Sequence, residues 1–210
     1  MLPPITRCHI RNKRSQLYRI GDDVHWSQDD GNVVAPETID ALYLIAYEPQ
    51  VARVYVVGFT GTMDGANERQ LVTLKTLITN AYDRAYNAGR LPVFVHGDCI
   101  GADAQAAHMA WRSSFIPIAR PGCAQDGSQP STAHTPFNAY VFPPERYLMR
   151  DLETANECDE MIAVAGRNFN NPRSGTGTTV RYARQARKPV QVIGLDGTVT
   201  LHTPELEMTQ

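Results

Sequence analysis

The chain lacks any long apolar run. Nothing in its 210 residues approaches the roughly 18 consecutive apolar residues of a membrane span, and no continuous apolar segment follows the first basic residues as a secretory leader would require. Cysteine is scarce: the four, Cys8, Cys99, Cys123 and Cys158, form no C-x-x-C pair and no regular framework, which fits reduced thiols and excludes a legible structural zinc site. Charge of one sign is also missing. A formal net charge of -2 gives no global pull toward nucleic acid or membrane. Internal repeats and low-complexity blocks are absent. The expectation is a soluble, cytoplasmic protein with no membrane association, built as one ordinary domain with a small appendage.

Residues 1–50 read as that appendage, and they read as β-rich. Cys8–Arg11 and Gln16–Ile20 are short β-prone segments around the polar turn Asn12-Lys13-Arg14-Ser15, while Pro36–Ile45 fits either a helix started at its proline or another strand. The basic cluster Arg7, Arg11, Lys13, Arg14 and Arg19 is followed closely by Asp22, Asp23, Asp29 and Asp30. A solvated hairpin face therefore explains it better than a nucleic-acid surface, and nucleic acid is not an expected partner.

Residues 51–200 alternate between β and α patterns, with 201–210 left as a tail. Val51–Val57 is an apolar, β-branched run that stops at Gly58. Leu71, Leu74, Leu77, Ile78, Ala81, Tyr82 and Ala85 share one face of a long helix that ends at Gly89. Further strands are expected at Pro92–Val95, Phe115–Ala119, Glu160–Ala165 and Pro189–Ile193, and helices at Ala102–Trp111, Glu145–Asn156 and Thr178–Ala186. The Pro-, Gly-, Ser- and Thr-rich stretch from Arg120 to Pro144 reads as a long loop. The fold class is α/β: a Rossmann-like, mostly parallel sheet with helices on both faces, plus the N-terminal β-rich appendage. Right-handed crossovers then place every strand-to-helix loop at the carboxyl edge of the sheet, where such folds bind ligands.

Three of those loops carry glycine: Gly58-Phe59-Thr60-Gly61-Thr62, then His96-Gly97-Asp98-Cys99-Ile100-Gly101-Ala102-Asp103, and Gly166–Thr179, which contains Arg173-Ser174-Gly175-Thr176-Gly177-Thr178. Small residues ahead of a helix let backbone approach a ligand, and the free N–H groups at the helix start suit an anion, phosphate above all. The same residues also make ordinary turns and caps. No loop spells a P-loop or the G-x-G-x-x-G dinucleotide fingerprint, so a nucleotide site of another kind is required. Asp98 and Asp103 fit ribose contact, general-base work or simple pairing with a helix dipole. Arg173 stands where it would fork onto a phosphate, and Arg150 fits either a cleft or a solvated face. Arg181, Arg184 and Arg187 recur at helical intervals and read as an exposed face. His96, Cys99 and His108 match no zinc spacing, and Cys99 has no assignable base partner, so neither a metal, a cofactor nor a cysteine nucleophile is expected.

Taken together, Gly58-x-x-Gly61-Thr62, His96-Gly97-Asp98-x-x-Gly101-Ala102-Asp103 and Arg173–Thr178 resemble the SLOG superfamily, which includes the DNA-processing protein Smf and the LONELY GUY phosphoribohydrolases. The resemblance spans about residues 52–194 and leaves the first fifty unexplained. It implies a Rossmann-like fold that binds nucleotides or nucleotide-derived molecules, with or without cleavage of an N-glycosidic bond. The implied ligand-binding set is Gly58, Thr60, Gly61, Thr62, Gly97, Asp98, Gly101, Ala102, Asp103, Arg150, Arg173, Ser174, Gly175, Thr176, Gly177 and Thr178. In the hydrolase branch an arginine on the preceding helix and a glutamate after the glycine loop serve hydrolysis. Arg150 falls at the arginine position, but Val180 and Arg181 stand where the acid should be. An apolar or cationic group does not stabilise a developing ribosyl cation. The primary expectation is therefore a nucleotide-ligand binder that senses or sequesters its ligand, as a homo-oligomer. The alternatives are an N-glycosidic hydrolase or transferase, with Asp98 or Asp103 replacing the glutamate, and a DNA-binding accessory protein.

Overall fold

The computed structural model describes the backbone of residues 8–9, 15–20 and 23–28, and residues 54–129, 131–136 and 138–204. Pro36–Ile45, most of the N-terminal basic cluster and residues 205–210 lie outside the described residues. The chain divides into two units at Val54/Tyr55. In the first, β1 (Cys8–His9), β2 (Ser15–Ile20) and β3 (Asp23–Gln28) form an antiparallel sheet in the order β1-β2-β3, with Cys8 opposite Leu17 and Ile20 opposite Asp23.

The second unit is built on a seven-stranded, mostly parallel sheet. Its strands are β4 (Val54–Gly61), β5 (Leu91–His96), β6 (Ile116–Ala119), β8 (Tyr140–Val141), β10 (Glu160–Val164), β11 (Val190–Ile193) and β12 (Val199–His202). They lie in the order β12-β11-β10-β4-β5-β6-β8, with β12 antiparallel to β11 at one edge. The helices are α1 (Glu68–Asn87), α2 (Ala102–Arg112), α3 (Tyr147–Glu157) and α4 (Gly175–Gln185). This is the expected Rossmann-like α/β fold. From β4 the chain first builds outward through β5, β6 and β8, then returns to β4's other side with β10. The point of reversal leaves a crevice at the carboxyl ends of β4 and β10, where open α/β sheets bind ligands.

The residue pattern of β10 explains why both faces are covered. All five of its residues are buried, and they alternate. Ile162 and Val164 pack with Phe59, Leu74, Ile78, Phe94 and Ala106 in one cluster, whereas Met161 and Ala163 join Ala155, Cys158, Val180 and Ala183 in another. A strand without a polar face needs a helix layer on each side. Each fully buried large side chain contributes about 1.5–3 kcal/mol relative to exposure. Helix α1 starts at a capping box in which the Asn67 side chain accepts from Gln70 N and the Gln70 side chain accepts from Asn67 N. The buried Gln70 amide also donates to Ala165 O at the end of β10, so the cap and the central strand are tied together.

Three local expectations need correction. Strand β4 does not stop at Gly58 but runs through Gly61, because Gly58 serves packing: a Cβ there would lie 2.9 Å from Met161 Cε and 3.0 Å from Cys158 Cβ. Helix α4 begins at Gly175, three residues before Thr178, with Ser174 as its N-cap. The segment 120–144 is more than a loop. It supplies β8 and the short β7 (Gly122–Cys123), which pairs with β9 (Glu145–Arg146). Among the described residues, no helix is long and apolar enough to cross a membrane.

Candidate functional site

The carboxyl ends of β4, β5 and β10 enclose a cleft of about 260 Å³ within the second unit. The β4–α1 loop contributes Thr60, Gly61, Thr62, Met63 and Asp64, the β5–α2 loop Cys99, and α2 Asp103. Gly166, Arg167, Asn168, Phe169 and Ser174 come from the β10–α4 connection, Gly175 and Thr176 from the first turn of α4, Tyr147, Arg150 and Asp151 from α3, and Ser131 from the long segment. Thr60, Gly61, Thr62, Asp103, Arg150, Ser174, Gly175 and Thr176 of the sequence-derived set therefore meet at one place. Gly58, Gly97, Asp98, Gly101, Ala102, Arg173, Gly177 and Thr178 do not line it.

At the start of α4 the Ser174 hydroxyl accepts from Gly177 N at 3.2 Å, and Ser174 O accepts from Thr178 N. The preceding N–H groups, those of Gly175 and Thr176, have no intrahelical acceptor by the geometry of a helix start. A Cβ added to Gly175 would meet nothing within 4 Å. The Thr178 and Thr179 hydroxyls are engaged within the helix: Thr178 Oγ1 donates to Ser174 O and Thr179 Oγ1 to Gly175 O.

The other glycines bring protein to protein. A Cβ on Gly61 would lie 2.5 Å from Ala102 Cβ, one on Gly166 2.6 Å from Thr62 Oγ1, and one on Gly177 2.6 Å from Phe169 O. Gly101 holds φ +85°, and a Cβ there would sit 2.3 Å from Met63 O. These contacts lock the three loops against one another. Gly97 has a different neighbour: the Arg150 guanidinium passes directly over it, in the space a side chain would need.

Arg150 is the buried cation of the cleft. Only 11% of its side chain is exposed, and Nε lies 3.0 Å from Asp151 Oδ1. That contact is an ion pair without hydrogen-bond alignment, so Nε keeps no hydrogen-bond partner. Nη2 lies 3.8 Å from Cys99 Sγ. Asp103, in the first turn of α2, accepts at Oδ2 from Gly97 N (3.0 Å) and Cys99 N (3.3 Å). Burial pushes its carboxyl up to about 7, against the pull of Arg150 and the two N–H donors. Burial also raises Asp151, opposed by Arg150 and the Thr179 hydroxyl. The Cys99 thiol is pushed up to about 11 by burial and by Asp103, which keeps it protonated and a poor nucleophile. Among the described residues, no group of three or more His, Cys, Asp or Glu could hold a metal.

Asp98 works elsewhere. It is buried at φ +48°, and its Oδ1 accepts from Thr135 N, Thr135 Oγ1 and Asn138 Nδ2, while its carbonyl accepts from Ala133 N. It pins Ala133, Thr135 and Asn138 beside the site. His96 completes this latch by accepting from Asp98 N at Nδ1, which leaves Nε2 to donate to Asn138 Oδ1, and burial lowers its pKa. Arg173 is exposed. Val180 is buried in the core and Arg181 donates to Pro172 O and Thr178 Oγ1, so neither supplies an acid to the cleft. The sequence reading missed Asp151 as a cleft residue, although it follows Arg150 directly. Tyr147 and the Arg167–Phe169 stretch carry no local signal of their own.

No protein-family model and no curated protein sequence matches the chain. Among solved structures, it is similar to the molybdenum cofactor binding protein from the phototrophic bacterium Rippkaea orientalis, at 17% identity over 68% of this chain and 77% of that one, with a TM-score of 0.51. It is also similar to DNA processing protein A from Streptococcus pneumoniae, at 17% identity over 72% of this chain, with a TM-score of 0.51; the match spans 52% of that longer protein. The Moco carrier protein from Chlamydomonas reinhardtii matches at 21% identity over 69% of this chain and 77% of that one, with a TM-score of 0.43. The chain shares the Rossmann-like α/β fold of these solved structures.

Proposed function

We propose that this protein binds a phosphate-bearing, nucleotide-derived small molecule at the carboxyl edge of its sheet, and that it senses or sequesters that molecule. One observation carries the reading: the start of α4, with nothing over Gly175, opens into the same cleft as the buried Arg150 guanidinium. Two N–H groups at a helix start and a guanidinium are the donors a phosphate takes. Thr60, Thr62, Asp64 and Phe169 leave polar and aromatic surface for the remainder of the ligand. Because a protein of similar fold is a molybdenum cofactor binding protein, that cofactor belongs among the candidates beside nucleotides.

A second reading, N-glycosidic hydrolysis or transfer, is favoured by the two buried carboxylates, Asp103 and Asp151, that share the cleft with Arg150. The third, DNA binding, draws on the N-terminal basic residues and on the fold shared with a DNA processing protein. Denaturing the purified protein and identifying the released molecule by mass spectrometry separates the first two. An intact phosphorylated ligand that survives long incubation supports binding, whereas free base with ribose phosphate supports hydrolysis. Release of no phosphorylated molecule, together with no binding across a nucleotide panel, would sink both. Retention on DNA that falls steeply with salt would favour the third.

A further inference from the structure

The cleft holds one buried cation between two buried carboxylates, and this imbalance has a chemical consequence. Arg150 makes its ion pair with Asp151 at 3.0 Å. Asp103, only 3% exposed, is held through Oδ2 by two backbone N–H groups, which leaves Oδ1 as its unshared oxygen. Other ionisable groups facing Asp103 or lining the cleft are Cys99 from the β5–α2 loop, Asp64 from the β4–α1 loop, Tyr147 from α3 and Arg167 from the β10–α4 connection. Arg167 is exposed to water and its charge is screened, so it does not balance the buried acids. With both carboxylates ionised, an incoming anion would meet a buried site that already carries net negative charge.

We propose that Asp103 enters the ligand complex as the neutral acid and donates a hydrogen bond from Oδ1 to an acceptor on the anionic ligand, so that ligand uptake carries one proton into the site. The inference rests on the phosphate-ligand reading above. The proton comes from solvent and binds the carboxylate, and no covalent bond in the ligand changes. Burial supplies the tendency, since it already lifts Asp103 to about 7 in the free protein, while Asp151 has the Arg150 guanidinium as its close partner. The ligands selected are those that combine an anion for α4 and Arg150 with a lone pair toward Asp103: a phosphate oxygen, a ring carbonyl or a ring nitrogen.

The test is calorimetry on the full chain in buffers of different ionisation enthalpy, which counts protons taken up per ligand. Suitable probes are sulfate and NAD, whose anionic groups keep constant charge from roughly pH 6 to 9, so that any proton counted belongs to the protein. The expected result is uptake approaching one proton at about pH 8 and an affinity that falls about tenfold per pH unit above 7. Asp103→Asn, which keeps a donor and carries no charge, should bind with no proton uptake and a flat pH profile, while Asp151→Asn should keep the uptake. The wild-type proton count stands even if a variant fails to fold. Binding without proton uptake, or uptake that persists in Asp103→Asn, overturns the proposal and leaves the phosphate reading intact. Failure of both probes to bind at any pH overturns both.

Discussion

Helices α2 and α4 both follow a parallel strand and carry a glycine at their start, the N-cap Gly101 in α2 and the first residue Gly175 in α4, so that they look alike in sequence: Gly101-Ala102-Asp103 and Gly175-Thr176-Gly177. In the structure they are opposites. The start of α2 is filled by protein, since Ala102 N donates to Thr62 O, the Asp103 carboxylate takes Gly97 N and Cys99 N, and Gly101 has no room beside Met63 O. At α4 the space beside Gly175 is open, and Gly175 and Thr176 line the cleft. A glycine-rich helix start is thus a device for close approach, and what approaches is decided by the neighbouring loop. The β4–α1 loop closes one start and leaves the other free.

Arg150 spans the two regions, so removing it should cause the largest loss. Arg150→Ala leaves Asp151 and Asp103 buried without their cation, and a loss of about 3 kcal/mol in unfolding free energy is expected by denaturant titration, alongside loss of sulfate binding. A change below about 1 kcal/mol would mean that the acids relax into water. Next is Gly101→Ala, which forces a side chain into φ +85° and against Met63 O; about 2–3 kcal/mol of destabilisation is expected. If α2 tolerates alanine there, its start is less closed than the contacts indicate.

Asp103 sharpens the comparison through pH. Its folded-state value of about 7 lies above the unfolded value of about 3.9, so its stabilising contribution is complete below about pH 4 and is lost as pH rises through 7. Asp103→Asn should therefore gain about 4 kcal/mol relative to wild type between about pH 4 and pH 8, read from unfolding curves at each pH. A constant difference between the two proteins would show that Asp103 is ionised throughout. The smallest stability effect is expected at the open start. Gly175→Ala replaces glycine in a helical first turn and should change stability by no more than about 1 kcal/mol, in the stabilising direction, while weakening sulfate binding about tenfold by filling the cradle. Equal losses of stability in Gly101→Ala and Gly175→Ala would erase the distinction between the two helix starts.

Much of the fold was legible because it follows from short-range patterns. Leu74, Leu77, Ile78, Ala81 and Ala85 mark the buried face of α1 by spacing alone, and the unbroken apolar run of β10 announces a strand covered on both sides. The strand end at Gly58 was misread because a glycine that ends a strand and one that admits Met161 and Cys158 look the same locally. The short strands β7 and β8 were hidden because two-residue pairings have no period of their own. Thr60–Thr62, Arg150 and Ser174–Thr176, expected from the carboxyl-edge argument and the family resemblance, line one cleft. Asp98 was grouped with them because its sequence neighbours point to the cleft, yet its carboxylate turns to Thr135 and Asn138, some forty residues away in the chain.

By itself the sequence determined the alternation of strands and helices, the apolar faces that make the sheet two-sided, and the three glycine loops at its carboxyl edge, because hydrophobic period and backbone freedom are local properties. Tertiary structure alone decided which helix start stays open, which acid latches a loop and which one lines the cleft, and that Arg150 lies across Gly97 between two buried carboxylates. Those outcomes depend on desolvation and on distances between residues remote in sequence, which no local pattern encodes.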